Sequence, residues 1–84
     1  MAYQVTLKRR AMKALENIDE PYYSKIKIAI YNLANNPRPQ GYIKIKGRKG
    51  YRIRVADYRI IYNIFDDELS VDVVGLGHRK DIYE

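Results

Sequence analysis

Tyr3, Val5 and Leu7 alternate with Gln4 and Thr6, the period of a strand with one face covered. The period then changes. Ala11, Leu15 and Ile18 recur at helical spacing, with Lys8, Arg9 and Lys13 mostly off that face. This predicts an amphipathic helix. Asp19-Glu20-Pro21 interrupts it, and proline is well tolerated in the first turn of a following helix. The second helix is predicted from about Pro21 to Asn35, with Ile26, Ala29, Ile30, Leu33 and Ala34 as its core stripe. Tyr22, Tyr23, Ile28 and Tyr31 widen the apolar surface beyond what one core face needs. The favoured expectation is a two-helix layer on a small sheet that buries them. The alternative is a partner-binding face.

Asn35-Asn36-Pro37-Arg38-Pro39 closes the second helix. From there the period returns to two. Tyr42–Lys46 reads as a short strand, and Gly47-Arg48-Lys49-Gly50 as a loop. Tyr51, Ile53 and Val55 alternate with Arg52 and Arg54, and Ala56-Asp57 suits a tight reversal. Tyr58, Ile60, Tyr62 and Ile64 alternate with Arg59, Ile61, Asn63 and Phe65. After a turn at Asp66-Asp67-Glu68, Leu69, Val71 and Val73 alternate with Ser70, Asp72 and Val74. Successive hairpins with short loops imply an antiparallel sheet. Helices and strands that are segregated along the chain imply an α+β fold. The expected architecture is one domain over residues 1–84. It has an N-terminal strand, a two-helix hairpin, then an antiparallel β-meander in a small twisted sheet with the helices on one face.

A chain of 84 residues buries only a modest core. With 0 Cys and 1 His, no disulfide forms and a protein-ligated zinc site is disfavoured. The lack of Cys fits a reducing compartment. Residues 1–10 hold no apolar stretch of signal-peptide length. No run approaches the ~20 apolar residues that span a bilayer. A soluble cytoplasmic protein without metal, cofactor or membrane partner is expected. Gly75-Leu76-Gly77 lacks the following helix that a phosphate-cradling loop requires.

Charge changes the picture more. The net charge of +6 is unevenly spread: residues 1–37 carry +3, residues 38–59 carry +7 and residues 60–84 carry −4. A single basic block is the electrostatic footprint of a polyanion binder, although many basic surfaces are merely solvated. Lys44, Lys46, Arg48 and Lys49 are its candidate RNA-binding residues. Arg52 and Arg54 lie two apart, so they share one face of a strand, and Arg59 follows just across a tight turn. Arginine is costly to bury unpaired, so that face is expected to be open. Three guanidiniums there suit phosphate, each offering a planar fork of donors. The competing reading is stabilising ion pairs, but the block holds one acid, Asp57. His78, at a strand end, is the one side chain with an ordinary pKa near neutrality.

Three stretches carry a resemblance in combination: Tyr51-Arg52-Ile53-Arg54-Val55, Asp57-Tyr58-Arg59-Ile60-Ile61-Tyr62 and Gly77-His78-Arg79-Lys80-Asp81-Ile82-Tyr83. The chain resembles the RelE/ParE toxins of bacterial and archaeal toxin–antitoxin pairs, over nearly its whole length. For RelE-type members the resemblance implies a ribosome-dependent endoribonuclease that cuts mRNA in the decoding site without a metal. It also implies a cognate antitoxin, acidic and partly disordered. Arg52 and Arg54 match paired basic positions that are commonly lysines. Arg59 matches the arginine of the next strand, Arg79 and Tyr83 match the C-terminal arginine and tyrosine, and His78 matches a position that is basic or His.

In such cleavage the 2′-OH attacks the adjacent phosphate, so the enzyme must move two protons and stabilise a charged phosphorane. On that resemblance Arg52, Arg54 and Arg59 are candidates for charge stabilisation. Arg79 would do the same or donate to the leaving oxygen. Tyr83 would orient a base or act as one, and His78 is better matched in pKa to proton transfer. Two readings compete: a ParE-like inhibitor of DNA gyrase, and a non-catalytic RNA- or protein-binding module on the same fold.

Overall fold

The computed structural model describes residues 2–80. The chain runs β1 (Gln4–Leu7), α1 (Arg9–Glu16), α2 (Tyr22–Asn32), β2 (Ile43–Lys44), β3 (Tyr51–Val55), β4 (Tyr58–Phe65) and β5 (Ser70–His78). The strands form one sheet in the order β1-β5-β4-β3-β2. The meander β2–β5 is antiparallel throughout, as its short loops require. β1 joins the far edge in parallel with β5, setting Gln4 beside Ser70 and Leu7 beside Val73. The sheet is therefore mixed, and its two ends in sequence meet in space.

Both helices cover one face of the sheet. Ala11 and Leu15 of α1, Ile26 and Ile30 of α2, and Leu33 just after it pack in one cluster with Ile53, Ile60, Tyr62, Val71, Val73 and Leu76. Those sheet residues are alternate positions of β3 and β4, and of β5 on either side of a register shift, so strand parity sends an apolar row inward. Tyr62 is fully buried. Its hydroxyl donates to the Pro37 carbonyl at 2.7 Å, which satisfies the one polar atom it carries inward. Burial pushes its pKa up to about 12.

The element boundaries follow local hydrogen bonds. α2 stops at Asn32, three residues short of the expected Asn35. Leu33, Ala34 and Asn35 instead donate three residues back, the tightened turn common at helix ends. At its start, the Glu20 carboxylate accepts from the Ser24 amide and hydroxyl at 2.9 and 2.6 Å. Those bonds lower the Glu20 pKa. β2 is only two residues long because the Ile45 amide turns to the Gly50 carbonyl at 3.0 Å.

β5 extends four residues beyond Val74, through Gly75-Leu76-Gly77-His78. Its register skips there: Tyr62 pairs with Val73 but Ile61 pairs with Gly75. The extra residue, Val74, is a β-bulge. The helix layer does not bury all of its apolar surface. Ile28 and Tyr31 remain 60% and 61% exposed, against the expectation that two helices on a sheet would cover them.

Candidate nucleic-acid interface

Arg52, Arg54 and Arg59 alternate with core residues Ile53 and Ile60, so they project from the face that the helices leave uncovered. Arg54 lies directly opposite Arg59 in the β3–β4 ladder, and Arg52 lies opposite Ile61. Directly opposed side chains have Cβ atoms about 4.5–5.5 Å apart, and like charges there repel. On the other flank Arg59 faces Gly77 of β5, which adds no side chain against it. Arg54 is exposed, while Arg52 and Arg59 are half-buried.

Arg79 sits just past β5 and reaches the same end of the sheet. Its amide donates to the Asp57 carbonyl at 2.8 Å, in the turn that joins β3 to β4. Its Nε lies 3.9 Å from Asp57 Oδ1, with both side chains more than half exposed. A pair so long and so wet holds the side chain weakly and leaves its charge available. The main chain is pinned while the guanidinium is free to reorient. Arg54, Arg59 and Arg79 thus gather around one turn, with Arg52 two residues further along.

His78 stands apart from the arginines. It pairs across from Tyr58, whose neighbours in the inner row are Ile60 and Val55. Its ring meets Tyr58 edge-on at 5.5 Å, and Tyr58 meets Tyr22 of α2 at 5.6 Å. The Lys80 amide donates to His78 Nδ1 at 3.3 Å, which leaves Nε2 to carry the proton of the neutral ring. Register therefore places His78 on the helix-covered side, at the rim shared with Arg79. Tyr83 lies outside the described residues.

The basic block also divides. Lys46, Arg48 and Lys49 are exposed on the β2–β3 loop. Lys44 pairs with Tyr51 in the inner row, and its Nζ lies 5.5 Å from the Tyr51 ring centre. Arg38 approaches the same ring at 5.5 Å. Arg38 is also bound at both nitrogens by Asp66, at 3.2 and 2.8 Å, and Tyr3 donates to the same carboxylate at 2.6 Å. Arg38 and Tyr3 hold the Asp66 pKa down at about 2, and Asp66 in turn raises those of Arg38 and Tyr3. The block's shortage of acids is thus made good by one from the β4–β5 turn. Arg38 is structural, a role that counting charge along the sequence does not reveal.

Residues 5–83 match the family described as the ParE toxin of type II toxin–antitoxin systems, parDE. Among curated proteins, one from Methanocaldococcus jannaschii assigned by name to toxin RelE1 is 27% identical, over 100% of this chain and 98% of its own length. The RelE–RelB complex of Pyrococcus horikoshii OT3 contains a chain of the same fold, with TM-score 0.84 and 26% identity. That match covers 98% of this chain and 100% of the other. The RelBE2 complex of Mycobacterium tuberculosis gives TM-score 0.82 at 18% identity, covering 94% of this chain and 100% of that one, a likeness of fold alone.

Proposed function

The chain belongs to the ParE toxin family of type II toxin–antitoxin systems, and from that membership we propose that it arrests growth as a ribosome-dependent mRNA endoribonuclease. The observation that carries this reading is the arginine cluster: Arg54 opposite Arg59, Arg52 on the same open face, and Arg79 pinned by its main chain at the same turn. Such a cluster suits a phosphate whose charge grows in the transition state. The 2′-oxygen bonds to phosphorus and the bond to the 5′-oxygen breaks, leaving a cyclic phosphate and a 5′-hydroxyl. Arg52, Arg54 and Arg59 would hold the non-bridging oxygens. Arg79, with its more mobile guanidinium, would follow the leaving oxygen. By the resemblance Tyr83 would orient a base or take the 2′-proton. His78, on the helix-covered side against Tyr58, lies away from this cluster and is given no part in the step.

The P. horikoshii relative was solved with its RelB partner. By analogy, an acidic, partly disordered antitoxin would cover the open face, and the toxin would work in the cytoplasm, where ribosomes are. Inducing the protein in a bacterium and mapping mRNA 5′ ends tests the proposal. New ends within codons are expected, and intact messages during arrest would refute it. The family name itself favours a second reading, ParE-like inhibition of DNA gyrase. Supercoiling by purified gyrase, measured with and without the protein, decides that one.

A further inference from the structure

β4 outruns β3. The ladder between them ends at Tyr51 and Tyr62, so residues 63–65 of β4 have β5 on one side and no strand on the other. A cleft of about 370 Å³ opens at this edge, lined by Lys44, Lys49, Gly50, Tyr51, Asn63 and Phe65 among others. That volume lies within the roughly 300–1,000 Å³ range of small-ligand pockets. Asn63 and Phe65 follow Arg59 and Ile61 in the outer row of β4, so this wall of the cleft adjoins the arginine face, while Tyr51 and Ile64 form its wall on the inner side. Asn63 lies four residues from Arg59, roughly 13 Å along the strand.

Gly50 forms part of the cleft wall. Its φ is +132°, and a Cβ there would lie 3.4 Å from Ile45 Cδ1 and 3.6 Å from Asn63 Oδ1. The Asn63 carboxamide therefore lies beside Gly50 at the cleft wall. A carboxamide offers a donor pair and an acceptor, which suits the edge of a base. Phe65 supplies aromatic surface for stacking on the outer side. Lys49, exposed at the mouth, suits a phosphate.

We propose that this cleft is a nucleotide subsite that receives a base flanking the scissile phosphate and helps select it. Phe65 stacks on the base, Asn63 reads its edge and Lys49 holds the phosphate beside it. The inference rests on the reading of the arginine face as an RNA-cleaving site. It adds base selection at a distance from the chemistry.

The test is cleavage of a defined mRNA on purified translating ribosomes by wild type, Asn63→Ala, Phe65→Ala and Phe65→Leu, with thermal unfolding of each variant as a control. Phe65→Leu keeps apolar packing while removing the stacking surface. The expected result is retained cleavage with KM raised about tenfold and a flattened base preference beside the cut. Preference and KM unchanged in folded Asn63→Ala and Phe65→Leu, with wild type active, overturn the subsite alone. Unchanged cleavage together with weakened neutralisation by the antitoxin would give the cleft to that protein instead, and also overturn it. No cleavage by wild type removes the endoribonuclease reading itself.

Discussion

The two faces of the sheet are built from the same strands and differ in every property that matters. The inner row of β3 and β4 holds Ile53, Ile60 and Tyr62, all buried under the helices. The outer row holds Arg52, Arg54 and Arg59 on the face away from the helices, with Arg54 and Arg59 directly opposed and buried Ile61 among them. The inner row supplies apolar burial, the dominant favourable term in folding. The outer row concentrates like charge, which works against it. On the proposed function, Arg59 and Ile60, one position apart, should separate activity from stability, whereas outer-row Ile61 is buried and belongs with the core.

The sharpest contrast is between Arg59 and Ile60. Arg59→Ala should lower growth-arrest activity about 10²–10³-fold, the usual cost of removing one charge-stabilising group. Its unfolding midpoint should stay close to wild type. Ile60→Ala should do the reverse, losing about 2–5 kcal/mol of stability from a total on the order of 5–15 kcal/mol. Urea denaturation of both variants beside a growth assay checks the pair. An Ile60→Ala protein that folds normally, or an Arg59→Ala protein that melts early, would break the division.

A smaller effect tests the inner face further. Tyr62→Phe removes the donor to the Pro37 carbonyl and keeps the ring. It should cost about 1–2 kcal/mol in chemical denaturation without touching arrest. The smallest expected effect concerns Asp66. Its carboxyl titrates at about 2 in the fold, below its ordinary value of 3.8. A depressed carboxylate pKa contributes stability above the unfolded value and loses it as pH falls through the folded one. Urea midpoints should therefore decline from pH near 4 toward 2, and Asp66→Asn should flatten that part of the profile.

The same parity explains what the sequence disclosed. Tyr51–Val55 forms the expected strand to the residue, because strict alternation is bounded by Gly50 and the Ala56-Asp57 turn. The arginine face follows from that alternation alone. The parallel pairing of β1 with β5 does not, because it joins residues more than sixty positions apart and leaves no local pattern. The end of β5 was obscured by Gly75 and Gly77, which carry no β-propensity yet pair with Ile61 and Arg59. The bulge at Val74 then shifts parity, so counting from Val73 misassigns the row of every later residue. Arg38 was unreadable for another reason: its partner, Asp66, lies 28 positions away. Asn63 and Phe65 share the outer row with Arg59 by the same alternation, but nothing in the sequence marks them as binding residues, because the cleft beside them comes from β4 outrunning β3.

On the proposed function, the outer row carries the toxic activity and the fold stands without it. The direct measurement is growth after induction of an Arg52→Gln/Arg54→Gln/Arg59→Gln protein, paired with its thermal unfolding curve. Normal growth is expected, from a protein that unfolds within a few degrees of wild type, a shift worth about 1 kcal/mol in a domain of this size. Undiminished arrest by the folded triple variant would contradict it.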